Sequence, residues 1–279
     1  MEDLNVLHGV HPDDFKRYDT ARIRERFLLS GIMEPGAIRL RYTLYDRMIV
    51  GGIVPGDKEL VVPVYPVLRS DYFLERREMG VINVGGQGGV SVDGTDYTLD
   101  KLDCLYIGKE SRDIRFTSAD AGTPAIFYIL SAPAHARYPT TLLKREQAES
   151  NVLGSLETSN HRTIYRYIHK NGLQSCQLVM GLTLLEKGSV WNTIPPHTHN
   201  RRMEAYFYFD LPENQVVFHY MGTPDETRHI LMKNHEAVVS PPWSIHAGSG
   251  TSSYGFIWGM AGENLEYSDM DAVNLSELR

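Results

Sequence analysis

The chain has 279 residues, of which 42% are hydrophobic and 23% charged, so it has the composition of an ordinary globular protein with one large domain or two modest ones. Its net charge of −7 argues against nucleic acid or an anionic membrane as a partner, and an acidic substrate would need a local cluster of Arg or Lys. No disulfide framework, signal peptide or membrane-spanning apolar run is evident in the sequence, so we expect a cytoplasmic protein.

The predicted elements are one helix followed by strands. Phe15, Tyr18, Ile23 and Phe27 recur at roughly helical spacing, which predicts a helix over residues 12–30. After it, short runs of Val, Ile, Tyr and Phe are interrupted by Gly, Pro, Asp or Asn every ten residues or so, a pattern typical of a β-sandwich or barrel. Strands are predicted at 81–85, 89–93, 104–107, 112–116, 125–130, 163–168, 176–184, 204–209, 215–220, 229–232, 236–240 and 254–260.

A gap in this pattern divides the chain into two strand-rich blocks. Residues 131–162 show little alternation and contain Pro, Ser and Asn, which predicts a linker with a short helix at 145–149. Each block has enough strands for a small barrel of its own. We therefore expect a first barrel in residues 1–140 and a second in residues 141–279.

Four potential metal ligands lie in the second block. His197 and His199 in the segment HTHNRRME are two residues apart, so on a strand their imidazoles point to the same face. Glu204 follows in the same segment, and His246 comes after a Pro-Pro break. Three imidazoles and a carboxylate suit Zn, Mn, Fe, Co or Ni better than Mg or Ca. HxHxxxxE followed by PxxxxH matches the cupin pattern, so we predict one bound divalent ion.

The first block has the cupin rhythm of Gly and Asp-Gly turns but not the ligands. It reads Tyr72-Phe73-Leu74 where the HxH motif belongs. The N-terminal barrel is therefore predicted to lack metal and to be structural. The charged run Glu75-Arg76-Arg77-Glu78 beside it is interpreted as a salt-bridged face or a subunit contact. The predicted fold class is all-β, with two cupin (jelly-roll-like) barrels in tandem after a short N-terminal helical segment.

Long motifs spread over nearly the whole chain carry a family resemblance. They are GGIVPG (51–56), YFLERREMGVINVGG (72–86), APAHARYPT (132–140), TSNHRTI (158–164), WNTIPPHTHNRRMEAYFYF (191–209), ETRHI (226–230), SPPWSIHAG (240–248) and FIWGMAGEN (256–264). Together they resemble the 4-deoxy-L-threo-5-hexosulose-uronate ketol-isomerases. The resemblance implies a two-barrel cupin fold, one Zn²⁺ per chain on the four ligands named above, and a homo-oligomer, a hexamer by analogy with the family.

The implied activity is the interconversion of 5-dehydro-4-deoxy-D-glucuronate and 3-deoxy-D-glycero-2,5-hexodiulosonate in pectin and uronide breakdown. Such an aldose–ketose exchange passes through an enediolate, whose negative charge a cation can stabilise. Three alternatives stay open: the related 5-deoxy-glucuronate isomerase of inositol catabolism, a cupin dioxygenase that uses Fe(II), and a metal-bearing sugar-binding protein without turnover. Metal identity, oxygen uptake and turnover of a uronate distinguish them.

The substrate of such an enzyme carries a carboxylate, which needs a positive partner. Counting in twos along the strand from Glu204 places Arg202 and Tyr206 on the ligand face, so Arg202 is the first candidate for this partner and Arg162 the second. Tyr206 is a candidate hydrogen-bond donor or proton shuttle. The catalytic base stays open between a metal-bound hydroxide, Glu204 and Tyr206. Two further pocket candidates are Thr193 and Met260.

Overall fold

A computed structural model, which describes residues 3–279, contains two barrels, and in each of them a seven-stranded sheet packs against a four-stranded sheet. The first part of the chain contains β1 (Asn5–Leu7), α1 (Pro12–Phe15), α2 (Thr20–Phe27), β2 (Leu28–Leu29), β3 (Ala37–Thr43), β4 (Ile49–Val54), β5 (Leu60–Val61), a 3-10 turn (Pro66–Leu68), β6 (Arg77–Asn83), β7 (Gly88–Val92), β8 (Thr95–Leu99), β9 (Cys104–Ile107), β10 (Ile114–Ser118), β11 (Phe127–Pro133) and β12 (Thr141–Leu143).

The second part of the chain repeats this arrangement. It contains a 3-10 turn (Arg145–Gln147), β13 (Glu149–Leu153), β14 (Arg162–Ile168), β15 (Val179–Leu185), β16 (Trp191–Asn192), β17 (His197–Thr198), β18 (Arg202–Phe209), β19 (Val217–Thr223), β20 (Glu226–Met232), β21 (Ala237–Ser240), β22 (Ile245–Gly250), β23 (Gly255–Gly262), β24 (Asp271–Ala272) and a final 3-10 turn (Leu275–Glu277).

The sheet orders of the two parts correspond strand for strand. In the first barrel they are β1-β3-β4-β11-β6-β9-β12 and β5-β10-β7-β8, and in the second β13-β14-β15-β23-β18-β21-β2 and β16-β22-β19-β20. The predicted all-β, two-barrel cupin architecture is thereby confirmed. Among residues 3–279 there is no helix with the length and apolar character needed to cross a membrane.

The large sheets of the two barrels pack on each other and form a shared core. The rings of Tyr128 and Phe207 stack across this interface, with centroids 4.5 Å apart. Small residues allow the close approach: a Cβ added at Gly259 would lie 1.9 Å from a methyl carbon of Leu130. The apolar residues of β18 that point away from the second barrel's interior are thus buried by the first barrel, which fixes the position of β18.

The N-terminal segment folds differently from the predicted single helix over 12–30. The Asp19 side chain caps a second helix by accepting the N–H of Arg22, so the segment divides into α1 and α2. The chain then turns extended at β2, which pairs with β21 at the edge of the second barrel's sheet. Phe15 of α1 and Phe27 of α2 pack in the core of the second barrel, where α1 lies against β19 and α2 against β20 and β21.

The predicted linker over 131–162 also contains regular structure. β11 extends to Pro133, β12 pairs with β9 at the edge of the first sheet, and β13 pairs with β14 at the edge of the second. The predicted helix at 145–149 is a single 3-10 turn. Strand pairing therefore departs from the predicted division at residue 140 in two places. β2 precedes this residue but belongs to the second barrel's sheet, and β12 follows it but belongs to the first barrel's sheet.

The charged run in the first block is exposed in part only: Glu75 and Arg76 form an ion pair at 3.9 Å, whereas Arg77 and Glu78 are buried. Glu78 is 0% exposed, and its carboxylate accepts the Tyr106 hydroxyl and the backbone N–H groups of Cys176, Gln177 and Leu178. Through these hydrogen bonds, Glu78 connects the first barrel to the loop that precedes β15 of the second barrel. A buried carboxylate is tolerated here because four donors replace its hydration.

Candidate metal centre and pocket

The four predicted ligands converge at one end of the second barrel. Glu204 lies on β18, in the middle of the large sheet, opposite Met260 of β23. His246 lies on β22 of the small sheet, and His197 and His199 lie on and just after β17. Their ligand atoms all lie within 4.8 Å of one another. The HxH spacing and the inward face of β18 thus bring together residues from both sheets.

The donor atoms are close enough to share one ion. The Nε2 atom of His197 lies 3.0 Å from that of His199 and 3.0 Å from that of His246. One oxygen of Glu204 lies 2.9 Å from Nε2 of His199 and 2.8 Å from Nε2 of His246. Three imidazole nitrogens and one carboxylate oxygen therefore face a common point.

The chemistry of this donor set fits a cation. Nδ1 of His199 lies 2.7 Å from the carbonyl oxygen of Asp269, which only accepts hydrogen bonds, so this nitrogen carries the proton. The neutral tautomer then presents the lone pair of Nε2 to the Glu204 carboxylate. Two electron-rich atoms at that distance repel each other unless a cation lies between them. A backbone carbonyl that fixes the tautomer of a histidine in this way is typical of metal sites.

The surroundings of the site favour the charge states that bind metal. It lowers the pKa of His197 to about 2, and the neighbouring His246 adds to this effect, so His197 is a neutral imidazole. Burial alone would raise the pKa of Glu204, but the adjacent imidazoles of His246 and His199 hold it well below its ordinary value. The site therefore presents neutral imidazole and ionised carboxylate, which are the ligand forms of both groups.

A segment after β23 covers the metal centre, and we call residues 263–272 the strap. Its end, β24, pairs with β17. Arg201 forms ion pairs with Asp269 and Asp271, the latter at 2.9 Å. The guanidinium of Arg202 donates to the carbonyl oxygens of Glu266 at 2.5 Å and of Asp269 at 3.1 Å. Two consecutive arginines thus hold the strap against the strand that carries Glu204.

A cavity of about 320 Å³ opens beside the ligands and contains most of the predicted substrate residues. Its walls combine one guanidinium, several polar groups and an apolar lining: Leu153, Arg162, Ile164, Thr183, Thr193, Ile194, Pro195, His197, His199, Glu204, Tyr206, Phe256, Trp258, Met260, Tyr267 and Met270. This is the small, mostly apolar type of pocket, with a few placed polar groups, that binds metabolites.

The two predicted arginines occupy different places. Arg162 lines the cavity at the start of β14, and its guanidinium donates to the carbonyl of Asn160 at 2.8 Å, which leaves its other N–H groups available. Arg202 is 1% exposed and is not among the lining residues, because its donors are directed at the strap. Arg202 lies two residues before Glu204 on β18, as the alternation assumed, but its hydrogen bonds go to carbonyl oxygens of the strap.

Tyr206 and Thr193 face each other in the cavity wall. Their hydroxyl oxygens lie 2.9 Å apart. Burial, together with the charge of Glu204, raises the pKa of Tyr206 well above its ordinary value, so the phenol keeps its proton and can donate it in a hydrogen bond. Thr193 has a φ of 52°, a backbone conformation that is rare for a β-branched residue. Such strain persists where the surroundings hold a side chain in place, and it is common at functional sites.

The sequence did not reveal the strap residues in the pocket. Tyr267 and Met270 line the cavity, and Tyr267 packs against Trp258 with ring centroids 5.0 Å apart. Neither lies in a periodic segment, so no pattern pointed to them. The only signal was the run of acidic residues after GMAGEN, which complements the two arginines that precede Met203.

Comparison with known proteins agrees with this architecture. The model of the KduI/IolB family matches residues 68–275. A 4-deoxy-L-threo-5-hexosulose-uronate ketol-isomerase from Lachnoclostridium phytofermentans is 56% identical over 276 residues, covering 99% of this chain and 100% of that relative. The protein of the same name from Shouchella clausii is 52% identical, with the same coverage.

A solved structure supports the fold independently. That of an IolB-like protein from Salmonella typhimurium superposes with a TM-score of 0.73, at 14% identity, over 88% of this chain and 96% of that one. At that identity the likeness concerns the fold alone. The family match and the identities over the full length confirm the resemblance carried by the motifs, and the chain belongs to the KduI/IolB family.

Proposed function

We propose that this chain is a metal-dependent ketol-isomerase that interconverts 5-dehydro-4-deoxy-D-glucuronate and 3-deoxy-D-glycero-2,5-hexodiulosonate in uronide breakdown. The observation that carries this proposal is a pocket with a three-histidine, one-carboxylate site in one wall and a single guanidinium, Arg162, in another. The names of relatives more than 50% identical over their full length support the same reaction. We propose Zn²⁺ as the ion, because the donor set suits it.

The substrate presents two features that match the two walls. Its reacting aldehyde and the adjacent hydroxyl-bearing carbon are at one end of a six-carbon chain, and its carboxylate is at the other. A divalent ion held by His197, His199, Glu204 and His246 would polarise the carbonyl and stabilise the charge of the enediolate. Arg162 is our candidate for the carboxylate, since its planar fork matches that group and no other Arg or Lys lines the cavity among residues 3–279.

Proton movement in this reaction concerns two kinds of atom. A carbon-bound proton moves from the hydroxyl-bearing carbon to the aldehyde carbon, and a hydroxyl proton moves between the two oxygens. Tyr206 is protonated and is held by Thr193, so we assign it the donation of a hydrogen bond to a substrate oxygen as charge develops there. Among residues 3–279, Glu204 is the only carboxylate that lines this cavity, and it stays a candidate for the carbon-bound proton.

The surroundings of the site suit an enediolate. Phe256, Trp258 and Met260 form an apolar wall beside the ligands, and Met270 of the strap lies in the same cavity. Such a wall excludes water, which strengthens every electrostatic interaction in the pocket and protects the intermediate. Met260 is therefore assigned a shape-defining role rather than a part in proton transfer.

The proposal is tested by following conversion of the keto-uronate with metal-free, Zn²⁺-loaded and Fe²⁺-loaded protein while recording oxygen. We expect metal-dependent formation of the ketose without oxygen consumption. Oxygen uptake would indicate a dioxygenase. Faster turnover of 5-deoxy-glucuronate would indicate the inositol-pathway reaction, and metal binding without any turnover would indicate a binding protein.

The role of Arg162 has its own test. Arg162→Gln removes a charge-assisted hydrogen bond worth about 1.5–3 kcal/mol, which corresponds to a loss of about 10- to 150-fold in kcat/KM. Metal content should stay at the wild-type level, because Arg162 does not contact the ligands. Arg17→Gln, an exposed arginine on the N-terminal segment, is the matched control and should behave as wild type. Wild-type kinetics in Arg162→Gln would refute this assignment.

A further inference from the structure

The end of the first barrel that corresponds to the metal-binding end of the second has a different chemistry. β6 and β18 occupy the same place in their sheets, and their first residues, Arg77 and Arg202, each pair with the last residue of the neighbouring strand. Counting from these two arginines, the positions of His197, His199 and Glu204 are held by Tyr72, Leu74 and Met79. None of these three residue types is a usual zinc ligand.

The strand register of the small sheets places Phe116 where the second barrel has His246. The hairpins close at equivalent pairs, Val92 with Thr95 and Thr223 with Glu226. Two residues before these ends, Val90 lies opposite Phe116 and Met221 lies opposite His246. The first barrel therefore lacks all four donors at the equivalent positions. The corresponding end of the first barrel is nevertheless polar, because several arginines lie there.

A cavity of about 230 Å³ opens at this end of the first barrel. Three guanidiniums line it, those of Arg47, Arg76 and Arg77, and no Asp or Glu is among its lining residues. The chain as a whole carries a net charge of −7, so this cavity is a local exception to its acidic surface. Among the described residues, the only ion pair of these three guanidiniums joins Nη2 of Arg76 to the Glu75 carboxylate, at 3.9 Å.

The arginine at the base of this cavity is buried without an ionic partner. Arg77 is 6% exposed, and it donates from Nε to the Ser131 hydroxyl and from Nη2 to the carbonyls of Ser131 and Arg47. Nη1 makes no hydrogen bond to any described residue. A buried cation normally has an anionic partner, and burial here lowers the pKa of Arg77 to about 10. An anion in the cavity would supply the missing charge.

Further donors surround the same space. Arg47 uses one N–H for the carbonyl of Leu44, and Arg76 uses Nη2 for carbonyls before it in the chain, so the remaining donors of both exposed guanidiniums are available. The hydroxyl oxygen of Ser70, a residue that lines the cavity, is buried and has no hydrogen-bond partner. Convergent guanidiniums and a hydroxyl are the usual environment of a bound phosphate or carboxylate.

We propose that the open end of the first barrel is a second anion-binding site, distinct from the metal centre, which takes a small oxyanion group such as a phosphate or a carboxylate. The first barrel would then bind a ligand of its own in addition to its structural role. The proposal is independent of the isomerase reaction, because it concerns a different cavity and different residues.

The test is calorimetric titration of metal-loaded protein with inorganic phosphate and, separately, with malonate. Wild type should bind at least one of the two at one site per chain, and the preferred probe identifies the oxyanion class. Arg47→Gln/Arg76→Gln should weaken that binding at least tenfold while the fold and basal activity are retained, since both side chains are exposed. Arg17→Gln/Lys187→Gln removes the same charge from other exposed positions and should bind as wild type.

One more variant separates this cavity from the metal pocket. Binding should persist in Arg162→Gln, whose substitution lies in the second barrel. Loss of binding in that variant would place the anion at the metal centre and overturn the proposal. Equal affinity of wild type and Arg47→Gln/Arg76→Gln, or no saturable binding of either probe, would overturn it as well.

Discussion

Arg202 holds the strap on the metal centre, and its removal should weaken metal binding. Its guanidinium and the Nδ1–H of His199 share one acceptor, the carbonyl of Asp269, at 3.1 Å and 2.7 Å. The second strong bond of Arg202, to the Glu266 carbonyl, fixes the strap three residues earlier. Through this shared carbonyl, loosening the strap also releases the imidazole ring of a metal ligand.

The magnitude follows from the bonds lost. In Arg202→Met both strong charge-assisted hydrogen bonds disappear, at about 1.5–3 kcal/mol each, and the freed carbonyls must find water or other partners. Loss of a partner that orients a metal ligand typically reduces metal affinity by about 10- to 100-fold. Arg202→Lys should recover only part of the affinity, because one ammonium cannot span the two carbonyls that the planar guanidinium reaches.

The assay is Zn²⁺ affinity by chelator competition, together with hydrogen exchange of residues 263–272. We expect weaker Zn²⁺ binding and faster exchange in the strap of Arg202→Met. Arg77→Met, the equivalent substitution in the first barrel, is the matched control and should leave Zn²⁺ affinity unchanged. If Arg202→Met keeps the affinity and the exchange of wild type but loses kcat/KM, the reasoning is refuted, and the sequence-based assignment of Arg202 to the substrate carboxylate regains support.

Two further predictions concern the ligand set and the barrel interface. His246→Ala should abolish stoichiometric metal binding while the circular dichroism of the β-structure stays near that of wild type, and a variant with full occupancy would contradict the ligand assignment. Glu78→Gln should lower the free energy of unfolding by about 1–3 kcal/mol, because its new NH₂ group can donate to Tyr106 but leaves the N–H of Cys176 without an acceptor. Chemical denaturation measures this change, and wild-type stability would contradict the interface role of Glu78.

The four candidate ligands could be recognised in the sequence because their arrangement is largely local. The HxH motif and the inward face of a strand both follow from the alternation of side chains with a period of two residues, which is visible in the sequence. His246 is distant in sequence but sits in its own recognisable PxxxxH motif. The same counting placed Arg202 beside Glu204, but its hydrogen-bond partners lie more than 60 residues later, in a segment without periodicity. The position of Arg202 on the strand therefore suggested a substrate contact, but it gave no information on the strap, whose carbonyls Arg202 contacts instead.

The errors in the fold have a similar origin. α2 and β2 pack on the second barrel through contacts about 200 residues apart in sequence, such as the pairing of Leu28 with Val238. A helix over 12–30 was predicted from local spacing, which carries no information on the sheet it will cover. Four consecutive charges at 75–78 resemble a surface, and nothing local reveals that Glu78 faces three backbone donors of the other barrel.

The two barrels differ in more than the four ligand positions. After β23 the chain folds over the end of the second barrel as the strap, where it supplies the Asp269 carbonyl to His199 and two residues to the pocket wall. After β11 the chain instead runs to β12 at the sheet edge, beside β9. Arg77 consequently donates to carbonyls of β11 and of the turn before β4, and one of its N–H groups faces an open cavity. Placing histidines and a glutamate in the first barrel would therefore not by itself recreate the metal centre, because nothing there fixes the tautomer of a ligand or closes the pocket.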